Sequence, residues 1–409
     1  MSQASTSPAP ARVGEPVRLD EDIRRAVWRA VGATERETDE LIAYAASPLH
    51  STTPPAHHYP LPDAACVAAW ERYAAAAPTV GADAVLRRVF VQLHFSVRPG
   101  ASAGPTYTAA TRRGVLPDDD APGLMFARPD ALQIFLHPTP AGRVPVVLAE
   151  DRRDFEALVQ AITRRNEPDP VPVSMGACMV SGYNNWDRVA EHRRAFAAEH
   201  PEDRSGEAWA AAFQDLVPRT DLYQDRFMLL SSGPYSSVPA AAIPLPEAGW
   251  RAASIQLRLE HECTHYFTRQ ALGTMRKSLL DELVADYMGM VEALGRFDAR
   301  LFLHFMGLEA YPRYREGGRL QNYRGSPPLS PGAFAVLPSI ARRAAESLEA
   351  CESRCGGGRL GMADKARMII ALLTIGLEGL ASGNAPALLA ASLPPAATTD
   401  AIAPTGTAS

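Results

Sequence analysis

The segment at residues 252–270, AASIQLRLEHECTHYFTRQ, carries the pattern on which the organisation of this chain depends. Its apolar residues recur at spacings of three and four, which predicts an amphipathic helix with one face in a core. That stripe comprises Ile255, Leu259, Cys263 and Tyr266. His261 and His265 lie four residues apart on another face, so both imidazoles can reach one cation, and Glu262 leans over the same point. The pattern predicts a metal site with a carboxylate base beside it.

A second predicted helix, at residues 278–294, follows closely. Ser278 and Asp281 form a start that resembles a capping box, and an apolar stripe follows at helical spacing. The opposite face combines small residues with two carboxylates: Glu282, Ala285, Asp286, Gly289 and Ala293. Small residues allow a second helix to approach closely, whereas a solvated face usually carries long charged side chains. We therefore expect Glu282 to be buried beside a positive charge.

Histidine nitrogen and carboxylate oxygen are typical ligands of catalytic zinc. Three such ligands leave a fourth position for water, whose pKa falls from about 15.7 to roughly 7 on the metal. The alternative is that His261 and His265 are ordinary helix histidines that make hydrogen bonds. The carboxylates of the second helix favour the metal site.

These two segments resemble the gluzincin-type zinc metallopeptidases, in which an HExxH helix is followed by a helix with Glu-x-x-x-Asp. The resemblance covers about 40 residues and implies a zincin-like core, in which the two helices lie beside a small sheet. It implies one Zn²⁺ per chain, with His261, His265 and Glu282 as ligands and Glu262 as the general base. Asp286 would orient a ligand histidine. The spacing also leaves Asp281 as a substitute ligand.

A loop at residues 311–325 is rich in arginine and tyrosine. Amide hydrolysis builds negative charge on the former carbonyl oxygen, and a phenol or guanidinium opposite the metal can stabilise it. Tyr323, Tyr314 and Arg319 are the candidates for this catalytic role. The alternative is a solvated loop whose arginine stems cover apolar surface.

The whole chain reads as an α+β protein that is mainly helical. We expect a disordered tail at 1–19, a helical and α+β region at 20–170, a zincin-like catalytic region at 171–392 and a second tail at 393–409. Helices are predicted at 20–31, 35–46, 63–77 and 154–165, and strands at 132–137, 143–149 and 171–180. The first two strands form a hairpin. The helix at 154–165 could instead connect two parallel strands.

Two further segments allow alternatives. A strand that ends near residues 231–239 could bind substrate along a sheet edge, or this Ser- and Pro-rich segment could be a surface loop. The polar turn at residues 182–187 could line a cleft, or it could cap the next helix.

Composition sets the remaining limits. The 409 residues are 46% hydrophobic and 21% charged, as in ordinary globular proteins. The net charge of -5 gives no indication of a basic surface that would bind nucleic acid. The five cysteines form no disulfide pattern, which favours a reducing compartment. No targeting segment and no membrane span are recognisable, so we expect a cytoplasmic protein.

The sequence therefore predicts a zinc-dependent hydrolase, specifically a metallopeptidase, that cleaves a peptide or a small amide substrate. Two alternatives remain. One is a non-catalytic binding or scaffold protein that retains a zincin-like fold. The other is a zinc amidase or esterase that acts on a small metabolite.

Overall fold

A computed structural model describes residues 19–46, 49, 58–117, 123–202, 206–273, 278–355 and 358–393. The tails predicted at 1–19 and 393–409 lie outside these residues, except for Leu19 and Leu393, which pack against the core. The described chain is α+β and mostly helical, with a four-stranded sheet. The coarse fold class is therefore as predicted.

The N-terminal helices agree with the sequence pattern. Helix α1 (Glu21–Ala30) is capped by Asp20, and α2 (Glu35–Tyr44) begins with a capping box between Thr34 and Glu37. They are followed by α3 (Val67–Val80), α4 (Ala82–Val89) and α5 (Pro105–Arg113). The third predicted helix thus begins at Val67 instead of residue 63.

The sheet combines strands from both sides of residue 170. Its elements, with the intervening helices, are β1 (Leu132–Thr139), β2 (Gly142–Ala149), α6 (Arg152–Thr163), β3 (Ala177–Asn184), α7 (Trp186–Glu199), α8 (Glu207–Leu216) and β4 (Gln224–Ser231). The order is β1-β2-β4-β3, and β1 and β3 lie at the edges. The predicted hairpin is confirmed, because β1 pairs antiparallel with β2.

Two details of the predicted sheet are wrong. The strand expected at 171–180 is displaced to Ala177–Asn184, since the preceding residues form turns. Helix α6 does not connect a parallel pair directly, because the next strand, β3, lies antiparallel to β4 at the far edge. The parallel partner of β2 is β4.

The sheet separates two apolar layers. Alternate residues of β4 point to opposite faces, so Phe227 and Leu229 pack with α3, α4 and α6. Met228 and Leu230 pack on the other face against the helices of the C-terminal half. These helices are α9 (Glu247–Leu272), α10 (Leu279–Leu294), α11 (Ala299–Met306), α12 (Pro331–Cys355), α13 (Met362–Ala381) and α14 (Ala385–Ser392).

Helix α9 is the central element of this second layer. It begins at Glu247, earlier than predicted. Its buried residues include polar side chains outside the apolar stripe, so more than one face of the helix is buried. Helix α10 packs directly against it and is capped by Ser278 as predicted. A Cβ atom added at Gly289 would lie 2.7 Å from the carbonyl oxygen of Leu257. The small residues of α10 therefore do permit a close approach of the two helices.

A buried network of polar and charged side chains connects α9 with β1, α10 and α13. Glu260 lies 2.8 Å from His137 on β1 and 2.9 Å from Lys365 on α13, measured between the side-chain oxygen and nitrogen atoms. The Lys365 ammonium also lies 3.1 Å from Glu292 on α10. Burial raises the pKa of Glu260, but His137 and Lys365 outweigh it and lower this pKa below its usual value. The network connects four elements immediately next to His261.

None of the helices in the described part of the chain has both the length and the apolar character of a membrane span.

Candidate metal centre

The structure brings the three predicted metal ligands together in the interior. His261 and His265 lie on α9, Glu282 lies on α10, and all three are buried. The two Nε2 atoms are 3.1 Å apart. The Nε2 atoms of His261 and His265 lie 3.5 and 3.4 Å from the two carboxylate oxygens of Glu282. Ligand atoms that each lie about 2.0–2.1 Å from a tetrahedral zinc ion are about 3.3–3.4 Å apart. The triangle formed by the two Nε2 atoms and the Glu282 carboxylate has sides of similar length, and each histidine lies near a different carboxylate oxygen.

Asp286 contacts the first of these histidines. Its Oδ1 atom lies 2.8 Å from Nδ1 of His261, one turn beyond Glu282 on the same helix. A carboxylate accepts a hydrogen bond, so Nδ1 donates and Nε2 keeps its lone pair for the cluster. Burial raises the pKa of Asp286, but Arg319 and His261 outweigh it and lower this pKa below its usual value. Asp286 is therefore an ionised acceptor, in the position expected for an orienting residue.

Sequence reasoning missed Tyr235, a buried residue of this site. Its hydroxyl donates to Oδ1 of Asp286 at 2.5 Å and lies 2.9 Å from Nδ1 of His261. Its backbone N–H donates to Ser254. Arg258 donates to the carbonyls of residues 231, 233 and 234 and thereby fixes the loop that carries Tyr235. The loop has no periodic pattern, so no sequence signal marked this residue.

The alternative that the 231–239 segment ends an edge strand for substrate is wrong. Strand β4 ends at Ser231 but lies between β2 and β3, so both of its sides are already paired. Of the two alternatives for residues 182–187, helix capping is the one observed. Asn185 accepts from the backbone N–H groups of Asp187 and Arg188 at the start of α7.

Arg319 and Tyr323 contact the third predicted ligand. Arg319 Nη2 donates to Oε2 of Glu282 at 2.8 Å, and the hydroxyl of Tyr323 donates to the same oxygen at 2.7 Å. Arg319 Nη1 also lies 3.3 Å from Oδ2 of Asp286. Both residues thus contact the carboxylates of α10, and the oxyanion role expected of them stays a prediction.

The structure places Tyr314 away from the cluster. Its hydroxyl donates to the carbonyl of Gly318 at 2.6 Å and accepts from the N–H of Gln321. It therefore shapes the loop that carries Arg319. Asp281 is not one of the three clustered ligands, and its carboxylate accepts from Ser278 at the start of α10. Burial raises the pKa of Asp281 to about 6.

Glu262 lies beside the triangle at a cavity of about 50 Å³. Glu262 is partly exposed, and no ion pair to it is found among the described residues. Glu282 and Asp286, in contrast, are paired with histidine and arginine. A general base needs a lone pair that is accessible to substrate water, and Glu262 is the carboxylate of the cluster that meets this condition.

The cluster favours a positive charge at the triangle. Burial lowers the pKa of His265, but the hydrogen bond and charge of Glu282 outweigh it and raise this pKa to about 9. Burial raises the pKa of Glu282, but its contacts with His265, His261 and Arg319 lower it well below its usual value. A divalent cation competes with the proton for the same nitrogen.

Cys263 offers no alternative nucleophile. Its side chain is buried in the core, and this burial raises the pKa of the thiol well above its usual value. A thiol nucleophile needs a thiolate in an accessible, electropositive site. The residue is therefore a packing residue, as its position on the apolar stripe indicates.

The chain belongs to DUF7005, a family of unknown function whose model matches residues 26–384. The match includes all three residues of the triangle as well as Glu262 and Asp286. No curated protein and no solved structure matches the chain.

Proposed function

We propose that this member of the DUF7005 family is a zinc-dependent hydrolase with a zincin-like core, and that it acts as a metallopeptidase. The observation that carries the proposal is the triangle of His261 Nε2, His265 Nε2 and the Glu282 carboxylate, whose separations of 3.1 to 3.5 Å, measured to the nearer carboxylate oxygen, are close to those between ligand atoms of tetrahedral zinc. The Asp286 contact to Nδ1 of His261 supports it further, because such partners accompany metal-ligating histidines.

The residues present fit a zinc ion, which when bound supplies a Lewis acid that polarises a carbonyl oxygen and favours deprotonation of water near neutral pH. In this proposal Glu262, which lines the cavity, accepts a proton from the attacking water and donates it to the leaving nitrogen. Asp286 and Tyr235 fix the ring of His261. Arg319 and Tyr323 fix the carboxylate of Glu282.

Two other functions have support from particular observations. Arg319, Tyr323 and both histidines surround Glu282, so the network makes its hydrogen bonds without an ion, as a non-catalytic binding or scaffold protein would require. The cavity beside Glu262, at about 50 Å³, accommodates a small group more readily than a bulky side chain. This favours a small amide or ester over a folded polypeptide as the substrate.

The proposal is tested by turnover in matched variants. We expect the purified protein to bind about one zinc per chain and to hydrolyse members of a peptide and amide library, with the activity lost on chelation and restored by zinc. Glu262→Gln should keep the zinc and lose turnover by several orders of magnitude, since it removes the base alone. Glu247→Gln, an exposed change on the same helix, is the control.

Three outcomes separate the candidate functions. Zinc in the wild type together with retained activity in Glu262→Gln would contradict the role of the base. Zinc without hydrolysis of any substrate would favour the scaffold protein. Full zinc content in a His261→Ala and His265→Ala double variant would show that the ligands are assigned incorrectly.

A further inference from the structure

The cavity beside Glu262 is also lined by residues that have no role in the proposed hydrolysis. On α9 the cavity is lined by Glu262, Tyr266 and Arg269, which follow one another at helical spacing. On the sheet it is lined by Arg226 of β4 and by Met179 and Ser181 of β3. Ser181 and Arg226 are paired residues in the sheet register, so they lie side by side at this end of the sheet.

The direction in which the Arg226 side chain points follows from the alternation of side chains along β4. Met228 and Leu230 face α9, whereas Phe227 and Leu229 face the opposite layer. Arg226 therefore points toward α9, and its guanidinium carbon lies 5.8 Å from the ring centre of Tyr266. The side chain is only partly exposed, so its charge lies between the sheet and the helix.

Arg226 differs from three well-buried arginines that form ion pairs, and from Arg258, which donates to three backbone carbonyls. Arg188 pairs with Asp225, Arg319 with Glu282 and Arg24 with Glu378. Within the residues that the structure describes, the Nε atom of Arg226 is buried and has no hydrogen-bond partner. No carboxylate of the described residues lies within ion-pair distance of Arg226.

Such a group points to a ligand. The buried Nε atom of this partly exposed guanidinium lacks a partner, and an unpaired polar group that is removed from water is costly. The planar guanidinium of arginine can donate two parallel hydrogen bonds to the two oxygens of a carboxylate. Arg269 lies on the same cavity and adds a second guanidinium. The pair would attract an anion to the immediate neighbourhood of the proposed base.

We propose that Arg226, assisted by Arg269, binds a carboxylate of the substrate. This inference rests on the proposed hydrolase function and names a substrate class for it: short peptides or acylated amino acids with a carboxylate near the scissile amide. Tyr266 and Arg269 lie about 6 and 10 Å from Glu262 along α9, at roughly 1.5 Å per residue. An extended peptide covers that distance with about two or three residues. The carboxylate is either the C-terminal one or that of an acidic side chain.

Binding without turnover tests this inference. The probes are acetyl-trialanine with a free carboxylate, its C-terminal amide, and acetyl-Ala-Ala-Asp-amide, titrated by calorimetry at millimolar concentration into the zinc-loaded Glu262→Gln protein. We expect at least one of the two acids to bind about 10-fold or more tightly than the amide, because hydrogen bonds between charged groups are worth that much. A preference for the first or the second acid identifies the source of the carboxylate.

Substitutions at Arg226 decide whether this residue provides the preference. Adding Arg226→Gln to Glu262→Gln should reduce binding of the preferred acid to that of the amide, and Arg226→Lys should retain part of the preference because it keeps the charge without the fork. Arg342→Gln on α12, which removes an exposed arginine, is the control. If Arg226→Gln does not fold, Arg226→Lys carries the test.

The inference would be overturned by equal binding of acids and amide, by binding of none of them, or by an acid preference that survives both Arg226 variants. These results differ from a failure of the proposed function, which would appear as absent zinc or as absent hydrolysis in the wild-type protein.

Discussion

Replacement of Asp286 by asparagine tests whether α10 orients a ligand of the proposed metal site. Asp286 is fully buried, and its Oδ1 atom accepts from Nδ1 of His261 at 2.8 Å and from the hydroxyl of Tyr235. An amide is neutral, so it neither stabilises a positive charge on the ring nor fixes one tautomer. We expect Asp286→Asn to weaken zinc binding because His261 then presents its Nε2 lone pair less reliably.

The expected size follows from the type of contact. Loss of an outer carboxylate on a ligand histidine typically lowers metal affinity by about 10- to 100-fold, which equals roughly 1.4 to 2.7 kcal/mol. Arg319 keeps its shorter contact with Glu282 at 2.8 Å, so the guanidinium does not lose its charged partner entirely. The variant should therefore remain folded.

Asp281→Asn provides a matched control on the same helix. Asp281 is partly buried and bonds to Ser278, and it interacts with His265 through its charge. Both variants are titrated with zinc against a competing chelator, and thermal unfolding checks that each is folded. Equal losses of affinity in the two variants, or a larger loss in Asp281→Asn, would refute the assignment of Asp286 as the orienting residue.

Other predictions concern packing and protonation around the site. Lys365→Met should lower the free energy of unfolding by about 3–5 kcal/mol, measured in urea, because the buried Glu260 loses the ammonium of Lys365 and keeps the His137 contact; an unchanged urea midpoint would contradict this. Gly289→Ala should cost about 1–3 kcal/mol, since its Cβ atom would lie 2.7 Å from the carbonyl oxygen of Leu257, and normal stability would refute the close approach. Zinc affinity should rise with pH up to about pH 9 and level off above it, because zinc displaces the proton of His265, whose pKa is raised to about 9. The same raised pKa stabilises the metal-free protein below about pH 6.5, and this stabilisation should disappear as pH rises to about 9. A pH-independent zinc affinity would argue against displacement of a proton.

The parts of the site that lie within one helix could be predicted from the sequence. A spacing of four residues places His261 above His265 whatever the rest of the fold, and the same holds for Glu282 and Asp286. The capped start of α10 and its small residues also fixed which face approaches α9. Local geometry is enough for such predictions.

Contacts between distant segments were not predictable in this way. Tyr235 reaches His261 from a loop without periodicity, and its position depends on Arg258 and Ser254 of α9. The loop at 311–325 offered several tyrosines, and only the fold determines that Tyr323 and not Tyr314 contacts Glu282. The sheet order likewise depends on pairing across more than 70 residues between β2 and β4.

Anomalous diffraction at the zinc absorption edge, from crystals grown with zinc, tests the central claim most directly. We predict one anomalous peak in the interior, about 2.0–2.2 Å from Nε2 of His261, Nε2 of His265 and a carboxylate oxygen of Glu282. No peak within the triangle, or a single peak on other residues, would contradict it.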